Sequence, residues 1–169
     1  YLQSDDHAER ARAMYQHAVV SHYCGELAEA MVALMEAEES LQRVPNVKLM
    51  GLVQRLKGDI YSDGCLYANA LEAYTLARGC FEEQGLGEHV LYMDYDLGGT
   101  LIQLRRFEDA RIKLDEVLRS ARLAEDRALM CGVIHELLDL SIYMDDYTMC
   151  GVYIEMMERE ELLLYGMSH

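Results

Sequence analysis

Apolar residues recur at three- and four-residue intervals through most of the chain, the period of a helix that buries one stripe. The clearest stretch runs from Leu56 to Ala77. Gly58 and Tyr61 stand three apart on one run, Ala70, Tyr74 and Ala77 stand four and three apart on the next, and the turn-like segment Ser62 to Leu66 lies between them. This predicts two amphipathic helices folded back on each other. The same positions then return along the chain: Ala70 is matched by Ala30, Ala110 and Cys150, Tyr67 by Leu27, Phe107 and Tyr147, and Gly58 by Ala18, Gly98 and Leu138, a register of 40 residues held through four copies. Such a period is the mark of an α-solenoid, in which each helix pair buries its apolar face on its neighbours.

The register divides the chain into repeats at about 5–44, 45–84, 85–124 and 125–165, one array over residues 1–169. The predicted helices are about 6–23 and 27–43, 46–62 and 66–83, 88–104 and 107–123, then 126–143 and 147–165. Ser4 or Asp5 is expected to cap the first helix, and Ala11, Met14, Ala18 and Ser21 to form its packing stripe, met by Leu27, Ala30, Leu34, Ala37 and Leu41. Pro45 forces Val44 out of the helical region, and Asn46 offers a cap for the next helix. Gly85 is expected as a left-handed helix end. A glycine inside a helix costs about 1 kcal/mol against alanine, so Gly58 and Gly98 imply that a neighbouring helix approaches closely there. The last helix carries Glu155, Glu158, Glu160 and Glu161 beside Met156, Met157, Leu162, Leu163 and Leu164, apolar on more than one side. Three readings stay open for it: another element packs over it, it is a dimerisation surface, or it is the end of a longer array.

Composition narrows the function classes. Half of the residues are hydrophobic (51%) and only one is proline, which favours helices from end to end. The net charge of −15, with three lysines at Lys48, Lys57 and Lys113, argues against nucleic acid, whose affinity begins with neutralised phosphates. It favours a basic partner through long-range steering, and it equally fits a well-solvated outer face. Cys24, Cys65, Cys80, Cys131 and Cys150 form no CxxC and no disulfide framework. Free cysteines lean toward the cytoplasm, whereas attachment to a membrane-anchored regulator would place the segment in the periplasm, so the compartment is open. No signal peptide or transmembrane run is visible, so no membrane insertion by this segment is expected. The start at Tyr1-Leu2-Gln3 reads as the tail of an earlier element and the chain as a fragment of a longer protein.

The repeated positions resemble the tetratricopeptide repeat (TPR): a small and a large residue three apart in helix A, a Gly/Asp-containing turn, an aromatic residue opening helix B, then small, large and small positions. Gly58, Tyr61, Tyr67, Ala70, Tyr74 and Ala77 supply it most clearly, with Ala18, Ser21, Gly25, Leu27, Ala30, Leu34 and Ala37 before and Gly98, Leu101, Phe107, Ala110, Leu114 and Val117 after. The fourth copy, Leu138, Ser141, Tyr147, Cys150, Ile154 and Met157, drifts toward larger residues. The resemblance implies an all-α, right-handed superhelical α-solenoid of four TPR-like pairs. The period is 40 residues where the family's usual length is about 34, so the helices are expected to be about one turn longer. Long repeats of this kind are similar to TPR regions of Bacteroidetes-like regulatory proteins, which precede a membrane span and a histidine kinase or a winged or LuxR-type output domain.

In the family, helix A lines a concave groove that receives a peptide or partner helix. Carried over by position, the groove takes Arg12, Tyr15, Val19, His22 and Tyr23 from the first repeat and Arg55, Asp59, Ser62 and Asp63 from the second. The third contributes Tyr92, Tyr95, Asp96, Ile102 and Gln103, and the fourth His135, Asp139, Ile142 and Tyr143. Tyrosines give large contact area at low ordering cost, and the aspartates favour basic or amide groups. The family's Lys/Asn carboxylate clamp is absent: Tyr15, Arg55, Tyr95 and His135 hold its leading position and Val19, Asp59, Gly99 and Asp139 the next, which argues against an acidic C-terminal peptide. Against this stands partial burial of Tyr15, Tyr92 and Tyr95 in the core and ordinary solvation of Asp59 and Asp63.

No HExxH, GxSxG or phosphate-cradling glycine loop occurs, and Glu108-Asp109 and Asp115-Glu116 are adjacent acids that do not share a helix face. Cys80 with a distant histidine is left as a nucleophile pair with no further support, and His22 and His135 lack a patterned ligand set. The expected function is a protein-interaction or scaffolding module, part of a bacterial regulatory protein, with no cofactor, metal or catalytic residue. Homotypic self-association through the terminal helix is second, and an enzyme of unknown class third.

Overall fold

The computed structural model describes the backbone of residues 2–166 and the side chains of residues 6–159. Among the described residues there are eight helices: α1 (Leu2–Tyr23), α2 (Leu27–Arg43), α3 (Val47–Asp63), α4 (Tyr67–Glu83), α5 (Gly87–Gln103), α6 (Phe107–Leu123), α7 (Arg127–Tyr143) and α8 (Tyr147–Gly166). They pack as α1 on α2, α3 on α4 and α7 on α8, with α5 and α6 joined where Gly98 meets Leu114. The fold is therefore all-α and made of four helix pairs, as the register predicts, with most boundaries within one residue. The exception is α1, which reaches back to Leu2, so Ser4 and Asp5 stand within its first turn and not at a cap before Asp6. The side chains of Ser4, Asp5, Glu160, Glu161, Leu162, Leu163 and Leu164 lie outside the described residues.

The chain falls into two compact units, Tyr1–Met93 and Asp94–His169. In the first, α3 packs on both α1 and α2, and Ala11, Ala18, Ala30, Leu34, Ala37, Leu41, Val53, Leu56 and Ile60 share one core. Cys150 is buried at the small-residue place the repeat assigns it, and Ser21 is buried at the place that Tyr61 and Leu101 hold in the second and third pairs. An ion pair from Lys57 Nζ to Glu38 Oε1, 2.9 Å long and with both side chains largely buried, ties α3 to α2, and Gln54 donates to the same carboxylate. In the second unit α7 packs on α6 over Leu114, Val117, Val133, Ile134 and Leu137. Lys113 Nζ pairs with Asp94 Oδ1 at 2.8 Å. The buried hydroxyls of Thr100 and Ser141 donate to the carbonyls of Asp96 and Leu137, so their burial leaves no polar atom unsatisfied.

Gly58 and Gly98 show why helix A carries glycine. A Cβ on Gly58 would lie 2.4 Å from the Tyr74 ring, and one on Gly98 2.5 Å from Leu114 Cδ2. Ala18 and Leu34, at the same repeat places, are both fully buried in the first pair. In the fourth pair both places are large, and Ile154 is 46% exposed where Leu34, Tyr74 and Leu114 are buried.

The turns inside the pairs repeat too. Gly25, Cys65, Arg105 and Asp145 all have positive φ, as do Gly85 and Glu125 between pairs. In each hairpin the left-handed residue's own N–H and the one after it reach back to the helix end, as with Cys65 N to Ser62 O at 2.9 Å and Leu66 N to Tyr61 O at 2.8 Å. The first link between pairs differs, with Val44 extended before Pro45 and the Asn46 side chain accepting from Leu49 N at 2.9 Å. Among the described residues no helix is long and apolar enough to cross a membrane.

Candidate binding surfaces on the first helix of each pair

In the first unit α1 and α3 pack together. Residues at helical spacing on each, Tyr15 and His22 on one and Arg55, Asp59 and Asp63 on the other, form a connected cluster. His22 Nε2 lies 2.8 Å from Asp63 Oδ2. The Tyr74 hydroxyl donates to Asp59 Oδ1 at 2.8 Å. Burial raises the Asp59 pKa above the ordinary carboxylate value, against the Tyr74 hydrogen bond and the charges of Arg55 and His22, while Asp63 pushes the same way as burial. Burial also raises the Tyr15 hydroxyl, which feels Arg55 and Asp59. Asp59 is therefore a half-buried, hydrogen-bonded carboxylate rather than a solvated one. Arg55 also lines a small cleft of about 170 Å³ with Glu88, His89 and Tyr92.

In the second unit a larger cleft of about 400 Å³ is lined by Tyr95 of α5, Cys131, Gly132, His135 and Glu136 of α7, and Met157 of α8. Gly132 leaves room in it, and Gly99 stands at ordinary contact distance from its wall. A Cβ on Gly132 would come within 3.1 Å of the Tyr95 hydroxyl, and one on Gly99 within 3.5 Å of the Glu136 carboxylate. Burial raises the Glu136 pKa, Asp139 adds to the shift and His135 opposes it. Tyr95 is raised by burial first, then by Glu136 and Asp96.

Of the residues expected in a groove, the first unit brings together Tyr15, His22, Arg55, Asp59 and Asp63, with Tyr92 beside Arg55 in the small cleft. The second brings together Tyr95, His135 and Asp139 around Glu136, with Asp96 beside Tyr95. Arg12, Tyr23 and Gln103 are exposed on the same helices. Tyr143, half exposed, stacks on Phe107 with ring centroids 6.0 Å apart and planes 5° apart. Ile102 is a correction: it is 3% exposed and belongs to the core, because at the end of α5 its side chain turns inward. Glu136 is a site residue not expected in the groove, although it stands at the same repeat place as Asp96, which is. Its repeat place is that of Leu56, a buried position in the second pair, so a carboxylate there is a readable anomaly. Among the described residues no three His, Cys, Asp or Glu side chains converge as metal ligands.

Paired helices with a 40-residue register and tyrosine-carboxylate clusters on helix A make this a TPR-like helical-repeat fold. In structure the chain is similar to a Rap protein complexed with Competence and Sporulation Factor, with a TM-score of 0.76 at 14% identity, covering 89% of this chain and 43% of that one. It is similar also to BtubC (BKLC) from P. vanneervenii, with a TM-score of 0.73 at 22% identity over 99% of this chain and 73% of the other. In sequence it is similar to Protein KINESIN LIGHT CHAIN-RELATED 2 of Arabidopsis thaliana, 32% identical over 114 residues, 55% of this chain and 16% of that protein. The chain thus spans 16% of the length of the curated relative it matches. No family model matches the chain.

Proposed function

We propose that this chain is a protein-interaction module that holds a peptide or protein segment against its A helices, as the sensing or scaffolding part of a larger bacterial regulatory protein. The observation that carries this reading is the pairing of half-buried tyrosines at one repeat place with half-buried carboxylates of a neighbouring A helix: Tyr15 with Asp59, and Tyr95 with Glu136. Burial of that kind keeps polar groups poorly hydrated and ready to accept donors from a ligand backbone or side chain. The likeness to a Rap protein complexed with its factor supports a fold of this kind receiving a partner. The carboxylates favour a segment with basic or amide groups.

The test is selection of binders from a displayed random-peptide library, followed by titration of the recovered peptides. Tyr95→Ala and Arg55→Ala are expected to weaken binding while helicity and melting temperature stay near the parent. Failure to recover any saturable binder, or a loss of folding equal to the loss of binding, removes the groove reading.

A second reading, self-association through α8, has one observation for it: Val152 and Ile154 are exposed on that helix although Ile154 stands at a core place of the repeat. It predicts a dimer in sedimentation that dissociates with Ile154→Asp, and a monomer at high concentration would remove it.

A further inference from the structure

We propose that the cleft between Tyr95 and Glu136 receives an arginine side chain of the bound segment, with the guanidinium pairing to the Glu136 carboxylate and lying against the Tyr95 ring. The inference rests on the interaction-module reading above and adds the chemistry of one contact. Three observations converge on it.

First, Glu136 is half-buried, and no side chain among the described residues donates a hydrogen bond to it or pairs with it. Elsewhere this protein does not leave such carboxylates alone: Glu38 has Lys57 at 2.9 Å, Asp94 has Lys113 at 2.8 Å, and Asp59 has the Tyr74 hydroxyl at 2.8 Å. A carboxylate withdrawn from water and lacking a donor is costly unless something supplies one. His135, its basic neighbour, is exposed, and Asp139 on the next turn adds negative charge.

Second, the cleft is shaped for a side chain with both a flat cation and an apolar stem. Its volume is about 400 Å³ and its wall combines the Tyr95 ring and the Met157 thioether with the single carboxylate of Glu136. A guanidinium stacks on an aromatic face and pairs with a carboxylate in two parallel hydrogen bonds, which a compact ammonium does not. Third, Gly132 keeps the hydroxyl end of Tyr95 uncovered, since a Cβ there would stand 3.1 Å from it. The net charge of −15 draws a cationic segment toward the surface before this contact forms.

The experiment is a nuclear magnetic resonance titration of the full 169-residue chain with Nα-acetyl-arginine amide, and in parallel with Nα-acetyl-citrulline amide, which has nearly the same shape without the charge. The Met157 methyl and Gly132 amide signals report the cleft. The arginine compound is expected to shift both saturably, and the citrulline compound to bind at least about tenfold more weakly. Glu136→Gln should weaken the arginine compound by a similar factor with an unchanged circular dichroism spectrum. Equal binding of the two compounds, unchanged arginine binding in Glu136→Gln, or no shift at Met157 and Gly132 would overturn the proposal. Library peptides that bind through Tyr95 and Arg55 without an arginine preference would sink this inference and leave the module reading intact. Arginine binding at the cleft with no recoverable peptide would do the reverse.

Discussion

The substitution Gly58→Ala tests the packing logic of the repeat most directly. Alanine is the better helix former by about 1 kcal/mol, so an open site would be stabilised. Here the new Cβ would stand 2.4 Å from Tyr74 Cε1 and 2.5 Å from Cδ1. The ring is buried at 4% exposure and held at its far end by the hydrogen bond to Asp59, so it cannot swing away without losing that bond. Overpacking costs about 1–3 kcal/mol, and disturbing a hydrogen bond to a carboxylate adds about 1.5 kcal/mol. Set against the helix gain, the net is a loss of about 2 kcal/mol, or about 4–8 °C in melting temperature for a chain of this size. The first pair shows the remedy, since Ala18 and Leu34 occupy the same two places and are fully buried together. On a Tyr74→Leu background the same Gly58→Ala change should therefore stabilise by up to about 1 kcal/mol. Urea denaturation of the four members of this cycle, followed by circular dichroism, reads a coupling of about 3 kcal/mol. If Gly58→Ala has the same effect with and without Tyr74, the close-contact explanation is wrong.

The turns and the buried acids give two more expected outcomes. Arg105 is held at φ 56°, where a residue with a Cβ carries about 1–2 kcal/mol of strain; Arg105→Gly should raise stability by about 0.5–1 kcal/mol after glycine's extra entropy cost. Arg105→Ala should not raise it, and a melting comparison in which the two variants behave alike refutes the assignment. Asp59 and Glu136 both titrate above the ordinary carboxylate value because burial disfavours their charged form. The folded chain therefore holds these protons more tightly than the unfolded one. Their contribution is fully present below the ordinary carboxylate range and is lost as pH rises through the raised values. Asp59→Asn and Glu136→Gln should each flatten the fall in stability as pH rises above the ordinary carboxylate range of about 4, and denaturation midpoints with the parent's slope in both variants would contradict the shifts.

Most of the backbone was legible because helix pairing in a repeat is a local matter. The spacing of Ala70, Tyr74 and Ala77, the caps at Asn46 and Gly85, and the 40-residue register each act within one or two turns of chain. The sequence alone therefore determined the helices, their pairing and the need for small residues at Gly58 and Gly98. It did not reveal that Cys65, Arg105, Glu125 and Asp145 adopt left-handed conformations, since none is glycine and the turn is closed by backbone hydrogen bonds that any side chain can accompany. Nor did it separate Ile102, buried in the core, from the residues around it, or distinguish Glu136 from the surface acids. What Asp59 and Glu136 can do depends on how much water a neighbouring helix removes from them and whether that helix offers a donor. Tyr74 offers one to Asp59, and no described side chain offers one to Glu136. Desolvation and hydrogen bonding between residues far apart in the chain are properties of the packed structure, so only the tertiary fold decided which carboxylate has a described donor and which has none.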